Sequence, residues 1–308
     1  MESLFKDWKE RCSGLGHIMT NLNTKEEIER INANIKSLED ERDKGVNANG
    51  NTVKWTDAKK NKLNDLKTKR DAPDELSSGI KTHLDDVFRS IFWKRTRLLH
   101  NKFLDKGNLC EEDSLGVLSL VDGSFYKKND KLLENDWIKG TPDNNQGIIR
   151  DTKSNWDMES FDKAELSNIY QWQIKGYCWL DKKTKGELDY CLVNNPLHQI
   201  VNEKQRVWYA MGTPDNDDER WIEAAQQIER NMIFDIPKFK LDYPGYEFEN
   251  TILDFDMPAI CRVKKFQVEL MPEDIKNIKR RVDMCRVYLM EKERVELEKI
   301  TNFKKLIK

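Results

Sequence analysis

Two acids and a lysine near the middle of the chain have the types and spacing of a metal-assisted hydrolytic site. The run Gly140-Thr141-Pro142-Asp143-Asn144-Asn145-Gln146-Gly147-Ile148-Ile149-Arg150-Asp151-Thr152-Lys153 sets Asp143 after a turn, then delivers Asp151 and Lys153 on an apolar, strand-like stretch. A β-strand alternates faces with period two, so Asp151 and Lys153 point the same way and Thr152 points away. Two carboxylates close together offer hard oxygen donors to a divalent cation, which can activate water and offset the charge building on a phosphodiester. Asp143, Asp151 and the Thr152 backbone carbonyl are the expected ligands. Lys153 is expected to orient or help deprotonate the attacking water, its own pKa lowered by burial or its charge balanced by the acids.

The tetrapeptide itself carries little. Gly-Thr-Pro-Asp recurs as Gly212-Thr213-Pro214-Asp215, where it leads into Asn216-Asp217-Asp218-Glu219 and a helix start with no acid-x-lysine strand behind it. The second copy reads as a turn, and the competing reading of the first is a surface hairpin with incidental charges. Asp151 and Lys153 separate the two.

Composition bounds the rest. The chain has 308 residues, 35% of them charged, with a mean hydropathy of -0.81, yet nine Trp, eight Tyr and twelve Phe supply core-forming side chains. A globular protein with a substantial core is expected, and disorder is not. No apolar run reaches the length of a membrane span and no cationic, apolar leader opens the chain, so a cytoplasmic location is the default expectation. Six cysteines are scattered without a Cys-x-x-Cys pair, against both a disulfide framework and a structural zinc site. The net charge of -2 leaves a nucleic-acid partner open, because a local basic groove can sit within a neutral total.

The elements that must position the site follow from periodicity. Leu4, Phe5 and Trp8 fit one face of a brief helix. Thr24 and Glu27 form a capping box ahead of Ile28, Ile31, Ile35 and Leu38, and a second helical stretch over 56–69 carries Leu63 and Leu66 until Pro73. Together they read as an N-terminal helical hairpin, either a solvated arm or one facing DNA or a partner. Residues 76–105 read as one long helix whose Lys94, Arg95, Arg97, His100 and Lys102 either contact phosphates or complement the helix dipole. Gly107 then caps, and Glu111-Glu112-Asp113 opens another helix. Strand-like segments at 121–127, 137–143 and 146–154, a helix at 166–180 and a strand at 187–194 complete an α/β core with helices packed on a mixed central sheet. Beyond it, 219–234 is amphipathic, Asp235-Ile236-Pro237 ends that helix, 261–270 alternates as a strand, and Pro272 opens a long helix. Ile275, Ile278, Val282, Cys285 and Leu289 face inward on it, with Lys276, Lys279, Arg280, Arg281 and Arg286 on its other faces. These segments group as an N-terminal arm (1–75), a core (76–200) and a C-terminal supporting region with helical additions (201–308).

In order and setting, four elements resemble the PD-(D/E)XK nuclease superfamily, and within it the phage-type exonucleases related to lambda exonuclease, the YqaJ recombinases and the RecB nuclease domain. They are Gly107-x-x-x-Glu111, Gly140-Thr141-Pro142-Asp143, Asp151-Thr152-Lys153 and Gln173-x-x-x-Tyr177; the flanking Trp156 and Tyr170-Gln171-Trp172-Gln173 add to the likeness, which covers roughly residues 100–195. The resemblance implies a Mg²⁺- or Mn²⁺-dependent deoxyribonuclease with a restriction-endonuclease-like core. It gives Glu111 the role of the first-helix acid, with Glu112 as rival, Gln173 that of positioning Lys153 or the water, and Tyr177 a packing or phosphate-binding role. It makes DNA the substrate, with Arg95 and Arg97 as candidate contacts. It also brings in a single-strand annealing partner and a ring-shaped homotrimer as assemblies, neither of them read from this chain. The four clustered cysteines of iron-sulfur relatives are missing, so no iron-sulfur cluster is expected. An exonuclease acting on double-stranded ends is the leading expectation; a structure-specific endonuclease and a non-catalytic DNA-binding or assembly protein are the alternatives.

Overall fold

The computed structural model describes residues 2–20, 25–47, 49–71, 75–98, 101–250 and 252–306. In chain order its elements are β1 (Glu10–Arg11), α1 (Cys12–Ile18), α2 (Lys25–Lys44), α3 (Asp57–Asp71), α4 (Ser78–Ile91), α5 (Lys102–Leu109), α6 (Glu111–Asp122), β2 (Leu133–Glu134), β3 (Ile138–Gly140), β4 (Ile149–Ser154), α7 (Met158–Asp162), α8 (Asn168–Leu180), β5 (Lys185–Cys191), α9 (Leu197–Ala210), α10 (Glu219–Met232), α11 (Ile236–Asp242), β6 (Val263–Glu269) and α12 (Pro272–Leu306). They divide between two compact units, one of residues 1–8, 17–94 and 276–308, the other of residues 9–16 and 95–275. Of the three segments expected in sequence, 76–94 falls with the first unit and 201–275 with the second.

In the first unit the helical hairpin is present. Ile31, Ile35 and Leu38 of α2 close on Leu63 of α3, with Trp55 and Leu66 alongside, and ion pairs from Lys59 to Glu41 (2.7 Å) and Lys67 to Glu39 (2.6 Å) tie the two helices across the seam. The expected Thr24–Glu27 capping box lies outside the described residues. Phe5 and Trp8 are buried, but from a turn rather than a helix, and Phe5 stacks on Phe88 of α4 at 5.4 Å. On α12 the inward stripe Ile278, Val282, Cys285 and Leu289 is buried as its spacing requires. Arg281, assigned by that pattern to an outer face, is fully buried instead: its guanidinium donates to the backbone carbonyls of Thr20 and Glu75, both at 3.4 Å. Carbonyl partners offset the desolvation of the buried cation.

The long helix expected over 76–105 is broken. It stops at Ile91, Lys94 takes a left-handed φ of 53°, and α5 begins afresh behind Asn101, whose side chain accepts from the Phe103 N–H at 2.9 Å. An asparagine that can cap a helix competes with continuing one. Arg95 and Arg97 therefore lie on an exposed irregular stretch rather than at a helix C-terminus, while Leu99 and His100 are outside the described residues. Gly107 falls inside α5, and Cys110 takes the cap position expected of it.

The second unit carries two three-stranded sheets, ordered β1-β3-β2 and β4-β5-β6, where one central sheet was expected. β4 runs parallel to β5 with Asp151 opposite Leu188 and Lys153 opposite Tyr190, and β6 closes the other side of β5 antiparallel. A single bridge between Asn144 and Arg150 links the turn after β3 to β4. No strand forms at 121–127: Val121 and Asp122 finish α6, Gly123 turns the chain at φ 61°, and the Tyr126 hydroxyl donates back to Asp122 at 2.9 Å. The helix expected over 219–234 ends at Met232 with Ile233 extended, and Asp235-Ile236-Pro237 instead opens α11, Asp235 capping it by accepting from Lys238 N–H at 2.9 Å. At the second Gly-Thr-Pro-Asp, Gly212 and Thr213 have φ of 82° and 55°, and Asp218 caps α10, so this copy is a turn and a helix start.

Helices cover both faces of the β4-β5-β6 sheet. Ser114 of α6 bonds Ser154 at 2.9 Å, which puts α6 on the face of Arg150, Thr152 and Ser154, while Gln173 of α8 reaches Asp151 on the other. Close packing of α8 depends on glycines: a Cβ on Gly140 would meet Tyr177 Cε1 at 2.7 Å, and one on Gly176 would meet Leu15 Cδ1 at 2.5 Å.

Candidate active site

Period-two alternation on β4 splits its polar residues into two clusters. On the α6 face Arg150 pairs with Glu187, Asp189 (3.2 Å) and Asp122 (3.4 Å) and lies against the Tyr126 ring. Burial, then the Glu187 charge, push the Asp189 carboxyl up to about 8. This buried ionic cluster fixes β4 from behind; it was not read in sequence, because its partners come from four separate segments.

On the α8 face Asp151 is 2% exposed. Its Oδ1 accepts from Gln173 Nε2 at 2.9 Å, and Gln173 Nε2 also donates to the Tyr177 hydroxyl at 3.1 Å, a spacing of four along one helix face. Asp151 Oδ2 forms an ion pair with the Lys153 ammonium at 2.5 Å. Asp143 reaches the strand from the turn: its Oδ2 accepts from both the backbone N–H (2.6 Å) and the hydroxyl (2.9 Å) of Thr152. Asp143, Asp151, Thr152, Lys153, Gln173 and Tyr177 are thus joined by direct contacts.

The electrostatics fit a cation. Burial, and next the Asp151 charge, raise Asp143 to about 7, so without a positive ion the two carboxylates resist ionising together. Burial acts to lower the Lys153 pKa, but the Asp151 and Asp143 charges outweigh it and leave the ammonium above its ordinary value. Two carboxylates and the backbone carbonyl of the residue between Asp151 and Lys153 are donors of the hard-oxygen kind that Mg²⁺ or Mn²⁺ takes.

Glu111 is less closely engaged. It opens α6 and its charge reaches Asp143, but its carboxylate pairs with Lys128 at 3.0 Å. Among the described residues no three His, Cys, Asp or Glu side chains converge as a metal-holding set. Glu112 lies on a different part of the α6 surface, lining a pocket with Asp113, Gly116 and Lys238. Tyr177 is 5% exposed behind Gln173, which corrects its candidacy as a DNA contact: it packs beneath the site. Arg95 and Arg97 are exposed.

Two features escaped the sequence. Lys106 is buried in α5, donating to the Asn155 carbonyl (2.5 Å) and to Asn195, and burial brings its pKa down to about 7. It ties α5 to the segment just after β4. Lys153 also faces the Tyr170 ring, 4.9 Å from its centroid. Lys106 sits between Asp105 and Gly107, so nothing local signals either feature.

The α/β fold that carries this cluster of acids, lysine and glutamine is shared with solved structures. The chain is similar to a phage-related exonuclease from Haemophilus somnus 129PT, with a TM-score of 0.56 and 19% identity over 92% of this chain and 95% of that one. It is also similar to an alkaline exonuclease (LHK-Exo) from Laribacter hongkongensis, alone and in complex with dAMP, with a TM-score of 0.46 and 9% identity over 74% of this chain and 88% of that one. No protein-family model and no curated protein matches the sequence. The first likeness shows a shared fold. No helix among the described residues is long and apolar enough to cross a membrane.

Proposed function

We propose that the chain is a Mg²⁺- or Mn²⁺-dependent deoxyribonuclease that hydrolyses phosphodiester bonds from the ends of double-stranded DNA, in phage or prophage recombination or DNA processing in a host cytoplasm. The observation that carries the reading is the contact set joining Asp143, Thr152, Asp151, Lys153 and Gln173, on a fold shared with a phage-related exonuclease.

Asp143, Asp151 and the Thr152 carbonyl would hold the cation, with Glu111 completing the set directly or through water. When bound, the cation supplies Lewis-acid stabilisation of the phosphorane-like transition state and a water acidified toward neutral pH. Thr152 fixes the Asp143 carboxylate through two donors, so that it faces the strand without rotamer searching. Gln173 holds Asp151 in the same way from α8. Lys153, kept charged by both acids, donates to the attacking water or a phosphate oxygen and offsets charge as it builds there. DNA enters along exposed basic residues, Arg95 and Arg97 among them, which contact phosphates without reading sequence.

Incubation with linear and closed-circular DNA, with Mg²⁺ and with EDTA, tests the reading. Loss of linear DNA alone supports an exonuclease. Nicking of circles moves the assignment to an endonuclease.

A further inference from the structure

Lys153 has a second anchor besides Asp151. Its Nζ lies 4.9 Å from the centroid of the Tyr170 ring, on the first turn of α8 and three residues before Gln173. The Ser167 hydroxyl caps α8 by accepting from the Tyr170 N–H at 3.4 Å, and the ring meets Tyr190 edge-on at 6.4 Å and 74°. Tyr190 donates its hydroxyl to the Glu165 carbonyl at 3.0 Å and stands perpendicular to Phe266 at 5.9 Å. Because Tyr190 is the register partner of Lys153 across β4 and β5, the row Phe266, Tyr190, Tyr170 crosses the sheet face and ends on the ammonium.

The two anchors differ in kind. A carboxylate claimed by a divalent cation has less charge to offer an ammonium, whereas a ring face attracts the ammonium through its quadrupole and is no ligand for a hard cation. We infer that Tyr170 is a positioning residue that keeps Lys153 in place when Asp151 engages a divalent cation. The inference rests on the nuclease reading above and deepens it.

One test reads the contact without activity. In the full chain with ¹³C-labelled lysine, assigned through Lys153→Arg, the ring current of Tyr170 should shift the Lys153 ε-methylene protons upfield, with Mg²⁺ and without it. Tyr170→Leu should return them to the ordinary lysine position and Tyr170→Phe should not. The second test reads the consequence: Tyr170→Leu should lower kcat about ten-fold with KM for linear DNA little changed, the size of a partly desolvated cation–π contact, and Tyr170→Phe should restore it. An unmoved Lys153 resonance in Tyr170→Leu, or equal losses in the Leu and Phe variants, would overturn the inference. A wild-type chain inactive with every divalent cation, its Lys153 shift still dependent on the ring, would instead defeat the nuclease reading and leave the contact standing.

Discussion

Asp143 and Thr152 are bound twice: one carboxylate oxygen accepts both the backbone N–H and the hydroxyl of the residue between Asp151 and Lys153. The turn acid is thereby locked to the strand that carries the other two groups. Thr152→Val removes one of the two bonds and keeps the shape. It should cost about 1 kcal/mol by thermal denaturation and lower the metal-dependent rate a few-fold, whereas Asp143→Ala should abolish that rate.

Gln173 is the corresponding lock on Asp151. Gln173→Leu leaves a buried carboxylate oxygen without its donor, at a cost of about 1–3 kcal/mol. Loss of an outer partner of a ligand commonly lowers metal affinity or activity about 10–100-fold. Calorimetric titration with Mn²⁺ should show the weakened affinity, and unchanged binding would show that Gln173 does not position Asp151.

The site became legible where periodicity met chemistry. Asp151 and Lys153 share a face because strands alternate, and Gln173 and Tyr177 share one because they are four apart on a helix. The reading failed where partners come from elsewhere in the chain. Residues 121–127 have strand-like composition, yet α6 runs on to Asp122 and Gly123 turns the chain. Arg281 looks like surface until the Thr20 and Glu75 carbonyls are placed beside it. Asn101 looks like one more polar residue in a long helix until it caps a new one. The Tyr170 ring meets Lys153 only once α8 is docked on β4.

Two glycines should respond oppositely to alanine. In α6, Gly116 has nothing within 4 Å of an added Cβ, so Gly116→Ala should stabilise by about 0.5–1 kcal/mol through helix propensity. At Gly140 the added Cβ meets Tyr177 at 2.7 Å and Cys12 at 3.0 Å, and overpacking there should cost about 1–3 kcal/mol. Denaturant titration of both variants checks the pair, and a neutral Gly140→Ala would contradict the packing beneath the site.

Metal-free stability should fall as pH rises. Asp143 is raised from 3.8 to about 7, chiefly by burial and then by Asp151. A carboxylate raised on folding contributes stability that is full below its unfolded pKa and lost as pH climbs through the folded value. Thermal midpoints in EDTA should therefore decline between about pH 4 and about pH 7, and Asp143→Asn should flatten that part of the slope. Asp189, raised to about 8, adds a decline of the same sign that the variant leaves in place.

The central claim is that Asp151 and Lys153 carry out metal-dependent DNA hydrolysis. Its most direct measurement is cleavage of end-labelled linear double-stranded DNA by wild type, Asp151→Ala and Lys153→Ala, each with Mg²⁺, Mn²⁺ or EDTA. The account predicts cleavage by wild type with either cation, none in EDTA, and a loss of at least about a hundred-fold in both variants with folding intact. Cleavage that persists in either variant, or a wild type that binds DNA yet cuts with no divalent cation, would contradict it.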